Sequence, residues 1–348
     1  MNIIFDKIKD SFSRNLPFVA YRKPKSNTVS SFFMKNDILQ YSSNFSEAGF
    51  VFSPFKDEEK TILFPLEFSD ILHEEIQFDE NILSKEIEIS EDINDKEKYL
   101  ELVENALSKI DNNSIKKVVV SREKKVEIDN LNLVKTFKDL LKSYANAFVY
   151  VWYHPKVGLW FGATPETLLN ISNKNFKTMS LAGTQVFNED KTVVWKSKEL
   201  EEQQLVTDFV TSQIKEISTN LKVDKTETVK AGNLLHLRTR VEGKLKQNSS
   251  LEELIRALHP TPAVCGLPRL ISKQFIVDNE HYNRTFYTGF LGEINLEQKS
   301  SLFVNLRCMS IAKNTASIYV GGGITKESIP LNEWEETIAK SKTMLKVL

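Results

Sequence analysis

Cys265 and Cys308 are the only cysteines in 348 residues. Two are too few for a disulfide framework in a chain of this length, so a reducing cytoplasm is the expected setting. No stretch approaches the ~20 apolar residues that a helical membrane span needs. The opening "MNIIFDKIKDSFSRNLPF" mixes charges into its apolar run and shows no cleavage-site pattern, so no secretory leader is expected. Basic and acidic residues nearly cancel, 46 against 47, leaving a formal charge of -1. The basic surplus or stripe of a nucleic-acid binder is therefore missing. The five histidines show no HExxH spacing, which excludes the usual zinc-protease site. Neither GxxxxGK[ST] nor GxGxxG occurs, and no nucleophile elbow is present. Cys265 lies in a Pro/Gly-rich loop with no identifiable histidine partner, which favours an unreactive thiol. There is no internal repeat and no low-complexity linker. What remains is a globular composition, 41% hydrophobic and 27% charged, expected to act on a small molecule.

Residues 1–90 read as short strands and loops, with apolar runs such as "GFVFSPF" and "KTILFPLEF" broken by Pro, Gly, Asn and Ser. Apolar positions at Tyr99, Leu100, Val103, Ala106, Leu107 and Ile110 then follow a helical period. "IKKVVVSREKKVEI" reads as a strand pair from its β-branched residues. A helix near 131–144 leads into the strongly β "AFVYVWYHPKVGLWFGATPETLLNI", with a turn at His154–Lys156, and "FKTMSLAGTQ" adds a short strand. The longest helical pattern runs from about 196 to 217, with Leu205, Val206, Phe209, Val210 and Ile214 as its apolar stripe. "RTFYTGFLGEINL", "SLFVNLRCMSIAKN" and "TASIYVGGGI" read as a meander, and a helix over about 332–346 closes the chain. Helices alternating with antiparallel-looking strand groups predict an α+β fold, against a doubly wound parallel sheet.

On the last helix, "LNEWEETIAK" sets Glu333, Glu336 and Lys340 on one side. A surface ion pair of ~0.2–0.5 kcal/mol is the plain reading. Glu199 and Glu202 repeat the i,i+3 relation, and their line continues into the stripe of Val206, Phe209 and Val210. Carboxylates at the end of a buried stripe need a partner, because an unpaired buried charge is costly. A hard divalent cation such as Mg2+ would supply one; spacing alone does not show that the two pairs meet. "VGGGI" permits close backbone approach to an anion, with a simple tight turn as the plain alternative. Lys117 opens the strand "KVVVSR" after Lys116. Neighbouring strand residues point to opposite faces, so one lysine can be solvated while the other faces inward.

Several motifs occur in order: "KVVVSR", "FGATPETLL", "LAGTQ", "SKELEEQ", "LLHLRTRVEG", "LHPTPAVCGLP", "YTGFLG", "NLRC", "VGGGI" and "EWEETIAK". Together, over residues 95–348, they resemble the chorismate-binding enzymes, which include isochorismate, salicylate, anthranilate and aminodeoxychorismate synthases. The resemblance implies a large core of two antiparallel β-sheets flanked by helices. Residues 1–90 would be an N-terminal β-rich part of that fold, 91–348 the catalytic region, and the whole one structural domain. It implies that Glu202, Glu333 and Glu336 bind Mg2+ with Glu199 close by, directly or through water, and that the ion holds the ring carboxylate of chorismate. Arg307, Tyr287 and backbone N–H groups around Gly321, Gly322 and Gly323 would bind the enolpyruvyl carboxylate, with Lys340 adding positive charge. A guanidinium suits that role as a rigid bidentate fork. Thr184 and His236 would line the ring, Lys117 would be the general base and Glu166 the general acid.

Within the family, Lys117 matches the water-activating lysine of the isochorismate and salicylate branches. Aminodeoxychorismate synthases usually place a nucleophilic lysine where this chain has Ala182. The resemblance thus implies isochorismate formation, with a salicylate synthase as the nearest alternative, an aminating synthase further off, and a catalytically silent chorismate-binding subunit as a different class. Menaquinone synthesis is the expected use of the product, with siderophore synthesis the other; a monomer is expected. Two positions depart from the family pattern: Gln203 stands where His is often found, and Gln185 replaces a common Arg. The proposed chemistry needs Lys117 unprotonated and Glu166 protonated near neutral pH, whereas unperturbed values of ~10.4 and ~4.3 give the opposite forms.

Overall fold

The computed structural model describes residues 3–77, 91–188, 193–231 and 234–348; the part of the expected N-terminal β region over 78–90 lies outside the described residues. The strand Phe148–His154 explains the architecture in miniature. All seven of its residues are buried, yet alternate side chains enter different cores, as a two-residue period requires. Phe148, Tyr150 and Trp152 join one apolar cluster, while Val149, Val151 and Tyr153 join another. Such a strand needs a second sheet on one side and helices on the other.

That is the arrangement found. The described strands form a nine-stranded and a ten-stranded sheet, with every pairing antiparallel. Between them lies an aromatic layer: Phe148 stacks on Phe303 at 4.1 Å between ring centroids, and Trp152 on Phe64 at 5.2 Å. Strands from the N-terminal part enter both sheets, Phe18–Arg22 beside Phe148–His154 and Gly49–Ser53 beside Phe290–Leu296. The described helices are α1 (Ile3–Ser13), α2 (Ile93–Asp111), α3 (Leu133–Ser143), α4 (Ser197–Lys215), α5 (Leu251–Leu258), α6 (Arg269–Asn279) and α7 (Pro330–Leu345). Residues of α1, α3 and the end of α7 share a core with the outer face of the nine-stranded sheet. Those of α4 and α5 pack with the other sheet. A further core joins α2, α6 and α7 to Val118, Val120 and Ile324. The α+β fold with two antiparallel sheets flanked by helices is as expected.

Four local readings need correction. Residues 3–13 are helical: Ile4, Phe5 and Ile8 are buried at helical spacing, a pattern hidden by β-favouring residue types. The expected strand pair at 115–128 is one strand, Lys117–Glu127, paired along nearly all its length with Thr315–Ile324. Its charged middle is not a turn; Arg122 and Lys124 are matched by Glu91 at 3.2 and 2.6 Å. The three-strand meander is instead split between sheets. Lys299–Val304 belongs to the ten-stranded sheet and Cys308–Ala312 to the nine-stranded one. The chain crosses at Asn305–Arg307, where Arg307 adopts a φ of 46° and Asn305 accepts from Tyr150 at 2.6 Å and donates to the Phe286 carbonyl at 2.9 Å. Finally, Gly321–Gly323 is no tight turn but the end of a strand.

Candidate active site

The crossover at Asn305–Arg307 delivers Arg307 to a narrow cavity of about 80 Å³ whose wall also includes Glu166, Thr184, Glu202, His236 and Tyr287. Gly321, Gly322, Gly323, Glu336 and Lys340 line it too. The three glycines pair with Ser121, Val120 and Val119 on one side, but pairing with the neighbouring strand on the other side begins only at Tyr319. Small size matters here because acidic side chains crowd against this backbone. A Cβ on Gly323 would lie 2.4 Å from Glu202 Oε1 and 3.0 Å from Lys117 Cε. On Gly322 it would lie 3.1 Å from Glu333 Oε2 and 3.9 Å from Glu336 Oε1.

The glutamates thus approach one short strand segment from two helices, and each has a lysine. Glu202, on α4, places Oε1 2.8 Å from Lys117 Nζ and accepts from the Gly183 N–H through Oε2 at 3.2 Å. Glu333, in the first turn of α7, pairs with Lys198 of α4 through Oε1, while its Oε2 is buried without a hydrogen-bond partner. Glu336 Oε1 accepts from Lys340 at 2.5 Å, and the same ammonium donates to the Gly321 carbonyl at 2.8 Å. Burial, then the Glu336 charge, push the Glu333 carboxyl upward. Burial acts upward on Glu336 as well, but Lys340, Lys198 and Arg307 outweigh it and hold that carboxyl below its ordinary range. Glu199 is elsewhere engaged: its carboxylate accepts from the Lys196 N–H at 2.9 Å, closing the first turn of α4, and it does not line the cavity.

Lys117 is wholly buried. Its ammonium faces Glu202 without a hydrogen bond of good angle, and it lies behind the cavity wall, not on it. Lys116 is exposed, as alternation along the strand dictates. Glu166 lies in the turn between Gly158–Thr164 and Thr167–Ser172. Burial pushes its carboxyl up to about 8 against the opposing charge of Lys117, so it is largely a neutral acid at pH 7. His236 is held neutral, lowered to about 3 by burial and then by the Arg307 charge. Its Nδ1 lies 3.0 Å from the Gly183 carbonyl and its Nε2 3.4 Å from Arg307 Nη2. Those partners assign the proton to Nδ1 and leave Nε2 an acceptor. Burial raises the Tyr287 phenol, leaving it a neutral donor.

Two contributors were not singled out from sequence. Lys198 sits inside the quoted "SKELEEQ" and was readable as the basic neighbour of the glutamates. Tyr99 carried no signal, being one more apolar-looking position on α2. Its hydroxyl is buried without a partner and would be 3.5 Å from a Cβ on Gly322. Cys265 and Cys308 are buried and unpaired; burial pushes the Cys265 thiol up to about 12, so it stays protonated.

Among the described residues no three His, Cys, Asp or Glu side chains gather as a ready metal site. The donor chemistry nevertheless fits a hard cation. Glu202, Glu333 and Glu336 surround Gly322–Gly323, and one Glu333 oxygen is buried with nothing bound to it. Clustered carboxylate oxygens are the donor set such an ion takes. No described helix is long and apolar enough to cross a membrane.

Comparison with known proteins adds an independent line. The isochorismate synthase EntC of Escherichia coli K12 is 32% identical over 199 residues, which cover 55% of this chain and 51% of that protein; the chain thus spans about half the length of this curated relative. DhbC from Bacillus anthracis superposes with a TM-score of 0.83 at 25% identity, covering 99% of both chains. MenF, the menaquinone-specific isochorismate synthase of E. coli, shares the fold with a TM-score of 0.80 at 20% identity, over 95% of this chain and 88% of that one. The family model described as chorismate binding enzyme matches residues 57–348, so the chain belongs to the chorismate-binding enzyme family.

Proposed function

We propose that the chain is an isochorismate synthase, converting chorismate reversibly to isochorismate. The observation that carries this reading is Glu166, a buried carboxyl raised to about 8 in the wall of a cavity that also holds Arg307. A carboxylic acid kept neutral at pH 7 can donate a proton to a leaving hydroxyl. Arg307 and the Tyr287 hydroxyl would hold the enolpyruvyl carboxylate, with Gly321–Gly323 close beside it; Thr184 and neutral His236 would border the ring. Lys117 would take a proton from water as the oxygen bonds to ring C2. The ring double bonds shift, the C4–O bond breaks, and Glu166 protonates the departing hydroxyl. One water enters and one leaves. For Lys117 to act, its contact with Glu202 has to part.

Glu202, Glu333 and Glu336 would hold Mg2+, with Glu199 near through water. When bound, the ion neutralises the ring carboxylate and fixes its orientation. Lys340 and Lys198 balance those glutamates in its absence. Ala182, where a covalent lysine would stand in an aminodeoxychorismate synthase, and the presence of Lys117 argue against amine nucleophiles. A reducing cytoplasm, a monomeric state and use of the product in menaquinone synthesis complete the proposal; siderophore synthesis is the alternative pathway.

The test is product analysis with chorismate and Mg2+ alone. Isochorismate accumulating without pyruvate is the expected result. Salicylate with stoichiometric pyruvate would replace the reading by a salicylate synthase, and a product formed only with ammonia or glutamine would replace it by an aminating one.

A further inference from the structure

Arg307 borders two cavities. Pro165, Leu181, His236 and Arg307 line the narrow one and also line a second, wider cavity of about 640 Å³. The wider space therefore adjoins the site across these four shared residues. Its charged wall has one sign. Lys25, Lys142, Lys230, Arg238 and Arg307 contribute, and no described carboxylate does, although the whole chain carries 47 acidic against 46 basic residues.

These cations come from separate elements, so local sequence does not explain their meeting. Lys25 is fixed in a turn by its N–H to the Ala145 carbonyl at 2.9 Å. Lys142 ends α3. Lys230 lies on Glu227–Ala231, with its ammonium 3.4 Å from the centroid of the Phe187 ring. Arg238 is neutralised by Glu227, at 3.0 and 2.8 Å from Nε and Nη2. Among the described residues none of the three lysines has a carboxylate partner within salt-bridge distance. Some other lysines of the chain are matched, such as Lys23 by Glu293 at 2.6 Å and Lys177 by Glu242 at 2.7 Å; the feature particular to the vestibule is that its three lysines line one concave wall. A concave wall of one sign focuses its field and raises the local concentration of counter-ions.

We infer that this vestibule is a capture site for small dicarboxylate anions, with Lys25, Lys142 and Lys230 drawing the dianion toward Arg307 from the wide cavity. The inference rests on the proposed reaction only for the identity of the anion. It makes the three lysines binding residues that never touch the reacting atoms, and it predicts a pronounced salt dependence, since fields reaching over ~10 Å are screened at moderate ionic strength.

The experiment compares the wild-type chain, a K25Q/K142Q/K230Q triple variant, and a K215Q/K222Q/K313Q control. The control makes the same change in net charge, at lysines that line neither cavity. Chorismate binding is read by calorimetry and turnover by chromatography, at ~20 mM and ~300 mM salt. The expected result is a roughly tenfold loss of affinity and of kcat/KM in the vestibule triple at low salt, the lower end of steering effects. That loss should shrink at high salt, with kcat within about twofold and the control like wild type. Equal salt slopes in wild type and vestibule triple would overturn the inference, as would an equal loss in the control. Salt-dependent binding weakened by the triple, without any isochorismate formed, would uphold the vestibule and remove the reaction. Turnover indifferent to the triple would do the reverse.

Discussion

Two buried charge networks lie a few residues apart in this molecule and are finished differently. Around Arg284 and Glu280, both almost wholly inaccessible, the polar partners are abundant. Glu280 accepts from the Ser121 N–H and hydroxyl, each at 2.7 Å, and from Arg284 at 2.5 and 2.7 Å. Arg284 also donates to the carbonyls of Val264 and Val119. Around Gly322 and Gly323 the carboxylates of Glu202, Glu333 and Glu336 have lysines, yet Lys117 Nζ, Glu333 Oε2 and Tyr99 Oη lack hydrogen-bond partners. A buried ion pair is tolerable when its remaining donors and acceptors are satisfied. The first network meets that condition and stitches α6 to the strand that carries Lys117. The second leaves capacity over, which is what a site must do if its partners arrive from solution.

The sharpest way to break this comparison is at Lys117. Lys117→Ala should lower kcat by about 10³-fold or more, within the range for loss of a general base, while circular dichroism stays native. Full activity would remove the lysine from the chemistry. Next, Arg284→Met should destabilise by about 3–5 kcal/mol, because it leaves Glu280 buried and unmatched. Urea unfolding measures it. A neutral result would make the two networks alike.

Glu336→Gln should leave unfolding midpoints nearly unchanged but raise the Mg2+ concentration for half-maximal turnover about 10–100-fold, the scale seen when metal-site partners are lost. An unaltered requirement would move the metal elsewhere.

The last prediction concerns pH. Activity should fall above about pH 8 as Glu166 ionises, and Glu166→Gln, expected to be inactive, should report on stability instead. With its carboxyl at about 8 folded and ~4.3 unfolded, Glu166 binds more protons in the folded state between those values. Stability from this group is therefore full below ~4.3 and declines as pH rises through that window, levelling off above about 8. The variant should flatten that decline in thermal midpoints recorded from pH 5 to 9. An identical slope would mean the carboxyl is not raised.

How much of this could be read from the chain depends on the residue. "FVYVWYH" declares a strand, and both its faces prove buried. The paired glutamates on two helices were legible by spacing, but their fates were not. Glu199 and Glu202 are three apart, yet Glu199 serves the unpaired N–H groups at the start of α4 while Glu202 reaches Lys117. Helix-end demand decides that, and spacing does not reveal it. The sheet-to-sheet crossing at Asn305–Arg307 was hidden because nothing in "SLFVNLRCMSIAKN" is a glycine or proline. Tyr99 was hidden because a tyrosine on an apolar stripe looks like core. The Glu336–Lys340 pair was legible as an i,i+4 spacing, whereas the partners of Glu202 and Glu333, Lys117 and Lys198, depend on which elements meet.

Running the reaction in ¹⁸O-labelled water addresses the central claim most directly, since the open network is held to position external water against ring C2. Mass spectrometry should find isochorismate heavier by one ¹⁸O at its new C2 hydroxyl, with no pyruvate released. An unlabelled product, or conversion to salicylate and pyruvate, would contradict the account.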